Sequence, residues 1–298
     1  MSLLVFLFTS IIGGAGSPLI KFTLNYFPTV IFVALRAFFS ALIILPFIYR
    51  ELIKIKPKQI QYLIFANALF AGNWLFFALG IQKTSVIMGQ IIYLPTALIV
   101  AIIAYFFLNE KLAKEQIYGL VITILGFAIL TYGSVRSQDT LSFGTPVGNL
   151  LVVAGLLCWS LYTVISRKIS NLYKPQLITF FNFAITAMIT FLILPFELKN
   201  GAIKISSAPA LAIFGFLGVV TLSSILFFFL YQWLIKNTSA FISSLVLYPV
   251  TLFASLAGVI LFDERLTLSF AFGSMFVLIG VFLATSYQYI KNNLQHEN

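Results

Sequence analysis

Charge is scarce in this sequence: Asp, Glu, Lys and Arg make up 9% of its 298 residues, where soluble globular domains carry about 25%. Apolar residues reach 61% and the mean hydropathy is +1.05. A water-soluble fold is thereby excluded, because the apolar runs are too long and too many to hide one another from water, and lipid must be the solvent. Cysteine is limited to Cys158, inside an apolar run, which rules out an intrachain disulfide framework or a thiolate metal cluster. Histidine is limited to His296 in the polar tail, so neither a His-metal centre nor a Ser-His dyad can form within a membrane. Acidic residues are few, and Glu51, Glu110, Glu115, Glu197, Asp263 and Glu264 all fall near the ends of apolar runs. No mid-membrane carboxylate is left to carry protons. A nucleotide-binding loop is lacking too: the only Lys-Thr pair, in Gly80-Ile81-Gln82-Lys83-Thr84, has no Gly-Lys step and sets ATP drive aside. No cofactor, metal or enzymatic activity is expected, a Ser-Lys pair being the one catalytic dyad the composition leaves open.

What is present is a series of apolar runs of about 20 residues, each about 30 Å long as a helix and able to cross the hydrocarbon. They run Leu3 to Thr23, Pro28 to Tyr49, Ile60 to Ile81, Val86 to Leu108 and Glu115 to Tyr132, then Pro146 to Lys168, Pro175 to Phe196, Ala208 to Ile235, Ser239 to Phe262 and Leu268 to Tyr289. The runs are apolar throughout and do not alternate, which selects helices over a membrane β-barrel. The first lacks the basic n-region of a secretory signal, although small residues Gly13 to Ser17 follow its apolar stretch, and it is read as a retained helix. The net charge of +10 comes from basic residues in short connectors, a topology signal and not a nucleic-acid surface. One set of connectors holds Arg50, Lys54, Lys56, Lys58, Lys111, Lys114, Arg167, Lys168, Lys174, Lys236 and Lys291. The other holds Lys21, Lys83, Arg136, Lys199, Lys204 and Arg265. The excess on the first side places both termini in the cytoplasm, in a multi-pass protein of the cytoplasmic membrane.

The chain also repeats itself. Shifting it by 249 − 95 = 154 residues lays Pro95 on Pro249, Glu110 on Glu264, Gly119 on Gly273, Gly126 on Gly280 and Thr84-Ser85 on Thr238-Ser239. A shift of 182 − 36 = 146 lays Lys21 on Arg167, Ser17 on Thr163 and Arg36 on Asn182. Hydrophobic composition alone does not produce matches at Pro, Gly and a membrane-edge Glu. Two five-span units follow, residues 1–133 and 146–298, joined by a polar linker at 134–145. Because five is odd, units of one fold must lie upside down relative to each other. The fold class is an all-α integral membrane protein of ten transmembrane helices in two inverted five-helix repeats, an arrangement that places a substrate site near the midplane between the halves.

A Pro in the fourth span, an Asn/Asp-Glu-Lys/Arg-Leu turn fifteen residues on, and glycines in the following span all occur twice. Together with Arg36, Asn73-Trp74 and Gln82-Lys83-Thr84-Ser85 in the first half, this pattern resembles the EamA repeat of the drug/metabolite transporter superfamily. The resemblance implies a ten-helix exporter or exchanger of amino acids, related metabolites or drugs, with a central cavity lined from both repeats. It also implies a contrast with small multidrug antiporters of that superfamily, whose first-span Glu is lacking here.

Candidate site residues come from the few polar and aromatic side chains inside the spans. Arg36 lies about 12 Å from the end of its span by helical rise, where an unpaired charge is costly unless it faces the bundle interior or a wet cavity. A substrate carboxylate or phosphate is one partner for it, snorkelling to the interface is the alternative, and Asn182 holds the matching place in the second half. Asn67, Trp74 and Tyr231 belong to mixed polar and aromatic stripes in the third and eighth spans, and Gln90, Tyr93 and Tyr248 flank the repeated prolines. Such groups can enclose a small amphipathic molecule by stacking and hydrogen bonding. Pro95 and Pro249 each remove a backbone hydrogen bond and are candidate hinges. In the doubled turn, Asn109 and Asp263 are expected to cap the next helix with Glu110 and Glu264 at its positive end, or else to form a gating ion pair. The 33 Phe residues are assigned to lipid contact and packing. The function expected is secondary transport of a small-molecule solute, by a monomer or homodimer that binds lipid and no nucleic acid. The alternatives are a non-transporting scaffold or assembly protein, whose polar stripes would be solid packing without a void, and an intramembrane enzyme.

Overall fold

A computed structural model describes residues 2–53, 57–136, 145–199, 209–262, 268, 272–273, 275–280 and 282–284. Most of the linker at 134–145, the second copy of the turn at Asp263-Glu264, His296, and much of the tenth expected span lie outside the described residues. Among the described residues every regular element is helical. This is the result lipid enforces, since a helix satisfies its own backbone where no water can.

In the first half these are α1 (Ser2–Leu24), α2 (Thr29–Leu52), α3 (Pro57–Ile81), α4 (Val86–Tyr93), α5 (Thr96–Leu108) and α6 (Lys114–Arg136). The second half has α7 (Pro146–Ser170), α8 (Pro175–Lys199), α9 (Ala210–Gly218), a π-helical segment (Val219–Leu226), α10 (Phe227–Asn237), α11 (Ala240–Ser244) and α12 (Leu247–Phe262). Residues 275–280 and 282–284 are also helical. Among the described residues, seven stretches are long and apolar enough to cross a bilayer: Leu3–Leu24, Thr29–Leu52, Gln61–Ile81, Pro146–Ser170, Pro175–Leu198, Ala210–Asn237 and Ala240–Phe262.

Starts and stops follow local chemistry. Thr145 caps α7, accepting from Gly148 N at 3.1 Å, with Pro146 next to it where its missing N–H costs nothing. Ser239 caps α11 through Ile242 N at 3.1 Å. Asn109 does not cap α6 as expected from sequence. It ends α5 in the left-handed conformation, φ 55°, and its N–H returns to Ala104 O, a conformation Asn tolerates better than most residues. Helix α6 instead starts where Ala113 N donates to Gln116 Oε1 at 2.9 Å.

Packing joins the halves more than it builds either one. The most extensive contacts pair α3 with α7, α2 with α8, α1 with α12, and α3 with α8. The repeated glycines mark another such junction: a Cβ on Gly119 would stand 2.5 Å from Gly280 O, and one on Gly126 would stand 2.7 Å from Gly273 O. The lower number of α6 thus meets the higher number of the last helix and the reverse, so the two pass in opposite directions at van der Waals distance, as small residues allow. Helices α2 and α8 also exchange ends. Glu197 accepts from Val30 N at 2.9 Å and Ile31 N at 3.0 Å at the start of α2, while Glu51, near its end, meets Lys174 Nζ at 2.5 Å just before α8.

The interior is more polar than the surface. Phe47, Phe106, Phe107, Leu192 and Ile260 are exposed, while Ser, Thr, Asn and Gln side chains are buried. Many buried hydroxyls bond the carbonyl four residues back, as Ser10 does to Phe6 O at 2.8 Å and Ser160 to Leu156 O at 2.9 Å, so each is satisfied within its own helix.

Candidate functional site: a cavity between the halves

A cavity of about 110 Å³ lies where α1, α2, α3, α4, α7, the π-helical segment, α10 and α12 converge. It has room for several waters or a compact solute. Two of the contributing spans are broken beside it. The fourth is interrupted at Leu94-Pro95 between α4 and α5, and Thr96 Oγ1 bonds the freed Tyr93 carbonyl. The ninth is interrupted at Leu245-Val246, four residues ahead of Pro249, which sits in the first turn of α12. Both prolines therefore coincide with helix discontinuities, because each deletes the bond that would have joined the two pieces. Gln90 and Tyr93 line the cavity from one broken span, Leu247 and Val250 from the other.

The charged group of the site is Arg36, only 5% exposed. Its Nε donates to Ser224 Oγ at 2.7 Å and its Nη2 to Ser223 O at 3.2 Å, while its guanidinium carbon stands 3.7 Å from the centre of the Trp74 ring. The π-helical segment supplies both serine contacts, with Ser224 Oγ in turn donating to Val219 O, five residues back, at 2.8 Å. A wider helical turn at a functional position is a recurrent use of π geometry. None of the lining residues is Asp or Glu, so among the described residues the buried cation has dipolar and aromatic neighbours but no counter-ion. One more polar atom in the lining residues is left over, Ser223 Oγ, buried without a hydrogen-bond partner, while the buried Trp159 Nε1 has only the Tyr231 hydroxyl beside it. Gln90 Nε2 donates to Ser17 Oγ at 2.5 Å, and Asn73 Nδ2 to Tyr93 OH at 2.5 Å and to Gly155 O at 2.9 Å.

Of the residues expected at the site, Arg36, Trp74, Gln90 and Tyr93 line this cavity. The other four stand outside its lining. Asn67 is turned back on its own helix, donating to Leu63 O at 2.6 Å. Asn182 donates to Tyr162 OH at 2.6 Å. Tyr231 shares a hydrogen bond of 3.2 Å with Thr163 and packs against Trp159 and Phe227, and Tyr248 is buried in the core. Snorkelling does not describe Arg36, which is held inward by the π-helical segment. Among the Phe residues assigned to lipid and packing, Phe77, Phe227 and Phe228 pack in or against the core and also line the cavity. Asn73, Trp159, Ser223 and Ser17 are further lining residues not singled out as candidates. Ser17 carried a signal in its match to Thr163 across the repeat.

A polar knot closes one end of the bundle. Glu110 Oε1 lies 3.6 Å from Arg167 Nε and accepts from Ala240 N at 3.3 Å at the start of α11, while Arg167 Nη1 donates to Ile235 O and Lys236 O at 2.7 Å each. The turn after α5 thus reaches the second half of the chain and not α6. The ion pair of the two sequence readings is the one realised, and the helix terminus it serves is α11.

Several membrane-crossing helices around an interior cavity of mostly apolar walls with one buried cation fit a multi-pass membrane protein of the transporter type. The profile of the EamA-like transporter family matches residues 1–132 and again 146–286, and the chain belongs to that family. It is 29% identical to the uncharacterized transporter YyaM of Bacillus subtilis over 206 residues, 67% of this chain and 66% of that one. An uncharacterized transporter of Haemophilus influenzae is 24% identical over 300 residues, covering 94% and 96% of the two chains. A crystal structure aligns over 96% of both chains with a TM-score of 0.72 at 16% identity, a likeness of fold alone.

Proposed function

We propose that this protein is a secondary transporter that carries small metabolites, such as amino acids or related compounds, across the cytoplasmic membrane by alternating access. In this reading ten spans form two inverted five-helix repeats, with both termini in the cytoplasm, and the protein works as a monomer or homodimer. The observation that carries it is the cavity: it is lined from both halves, lies beside two broken spans, and holds a buried cation without a counter-ion. A scaffold would have filled that space. The inversion is supported by the reciprocal glycine contacts, Gly119 with Gly280 and Gly126 with Gly273, and by the exchanged ends of α2 and α8. The knot around Glu110 and Arg167 is a suitable gate, because its ion pair is a single contact of 3.6 Å that can break in each cycle.

With no Asp or Glu in the lining, the simplest energetics are facilitated movement or exchange. Counterflow into proteoliposomes preloaded with a mixture of amino acids and small organic acids tests this. Tracer uptake is expected without any ion gradient. Uptake that appears only with an imposed pH gradient would overturn the energetic reading, and no uptake of any solute would overturn transport itself.

A further inference from the structure

We propose that the cavity is selective for a small organic monoanion, one carboxylate on a flat apolar body, over zwitterions, cations and dianions. This rests on the transporter reading and narrows it to related carboxylates, away from free amino acids, which are zwitterions. Arg36 has five N–H donors, and the described contacts use two of them, on Ser224 Oγ and Ser223 O. Both acceptors are neutral, so the charge stays uncompensated, and a guanidinium offers a planar fork that fits a carboxylate in bidentate fashion. Ser223 Oγ, in a residue 4% exposed, adds an unpartnered polar atom among the lining residues, and Trp159 Nε1, also of the lining, has only the Tyr231 hydroxyl near it. Buried polar atoms are rarely left unpaired without a use. Carboxylate oxygens, each able to accept more than one bond, would satisfy the donors and the charge together.

Exclusions follow from what the walls lack. An ammonium group would meet Arg36 without any Asp or Glu in the lining to offset the repulsion, which disfavours cations and zwitterions. Among the described residues Arg36 is the only Lys or Arg of the lining, so the second charge of a dianion would go unmatched in a low-dielectric site. The remaining walls include Phe77, Phe227, Phe228, Ile20, Leu247 and Val250, which suit a flat apolar body better than a hydroxylated one.

Titration calorimetry on the full chain in lipid nanodiscs tests this with four probes of similar size: benzoate, benzamide, benzylamine and phenylalanine. Benzoate is expected to bind at least tenfold tighter than each of the others. Arg36→Gln should lower benzoate to the level of benzamide without changing benzamide, and Arg36→Lys should recover part of the difference. If Arg36→Gln does not fold, Ser223→Ala serves in its place, with a several-fold loss for benzoate only. Benzylamine or phenylalanine binding as tightly as benzoate, no benzoate binding, or an unchanged benzoate affinity in these variants overturns the proposal. Because binding is read apart from flux, bound benzoate without counterflow would count against transport and leave the selectivity standing. Counterflow of phenylalanine with no benzoate binding would do the reverse.

Discussion

A charge in lipid surroundings imposes conditions on its neighbours, and Arg36 meets them with the face of Trp74, a serine hydroxyl and a backbone carbonyl. Trp159 is the complementary case, a buried N–H with only the Tyr231 hydroxyl beside it. Such a donor recovers little of a desolvation cost of about 1–3 kcal/mol, so Trp159→Phe, which keeps a ring and deletes the donor, should leave the melting temperature nearly unchanged. If that donor serves the solute, the same variant should weaken solute binding roughly tenfold. A fall in melting temperature with unchanged binding would assign Trp159 to packing alone. Arg36, Trp74, Gln90 and Tyr93 could be picked out in the sequence because polar and aromatic groups deep in apolar runs must face inward. Asn67, Asn182 and Tyr231 obey the same rule, yet their partners are side chains and carbonyls of the core, and Tyr248 is buried there with them. Periodicity distinguishes inward from outward and has no means of telling a packed interior from a void.

Elements carry the second level of the account. The helix runs were legible because lipid leaves the backbone no other solution, and the repeated prolines foretold where the fourth and ninth spans break. The π-helical segment had no such marker: Val219–Leu226 reads as ordinary apolar helix, and its wide turn is fixed by packing around Arg36. The doubled turn was legible as a motif and misread in its partner, since Glu110 reaches α11 across the chain where sequence adjacency suggested α6. Its role as a gate predicts that Glu110→Gln changes the counterflow rate at least threefold while leaving solute affinity in nanodiscs within twofold. Equal rates would reduce the ion pair to a tether. At the α6 crossing, Gly119→Ala would set a Cβ 2.5 Å from a backbone oxygen, and overpacking of this kind costs about 1–3 kcal/mol. Thermal unfolding should show a lowered midpoint, whereas Gly218→Ala, whose Cβ would meet only Leu19 at 3.7 Å, should be nearly silent.

For the whole molecule, what matters is that the halves interleave. Helices α1, α2 and α3 find their main partners in the second half, so neither half closes a core by itself, and the cavity lies on the seam between them. The repeat in the sequence announced the two units but not their interdigitation, which depends on contacts between residues far apart in the chain. The central claim is that this seam opens in turn to each face of the membrane. Ala78, a small buried lining residue of α3, offers the most direct test as Ala78→Cys in a Cys158→Ser background. A membrane-impermeant maleimide applied to right-side-out and to inverted membrane vesicles should modify this position in both. Modification from one face only, or from neither, would contradict the account.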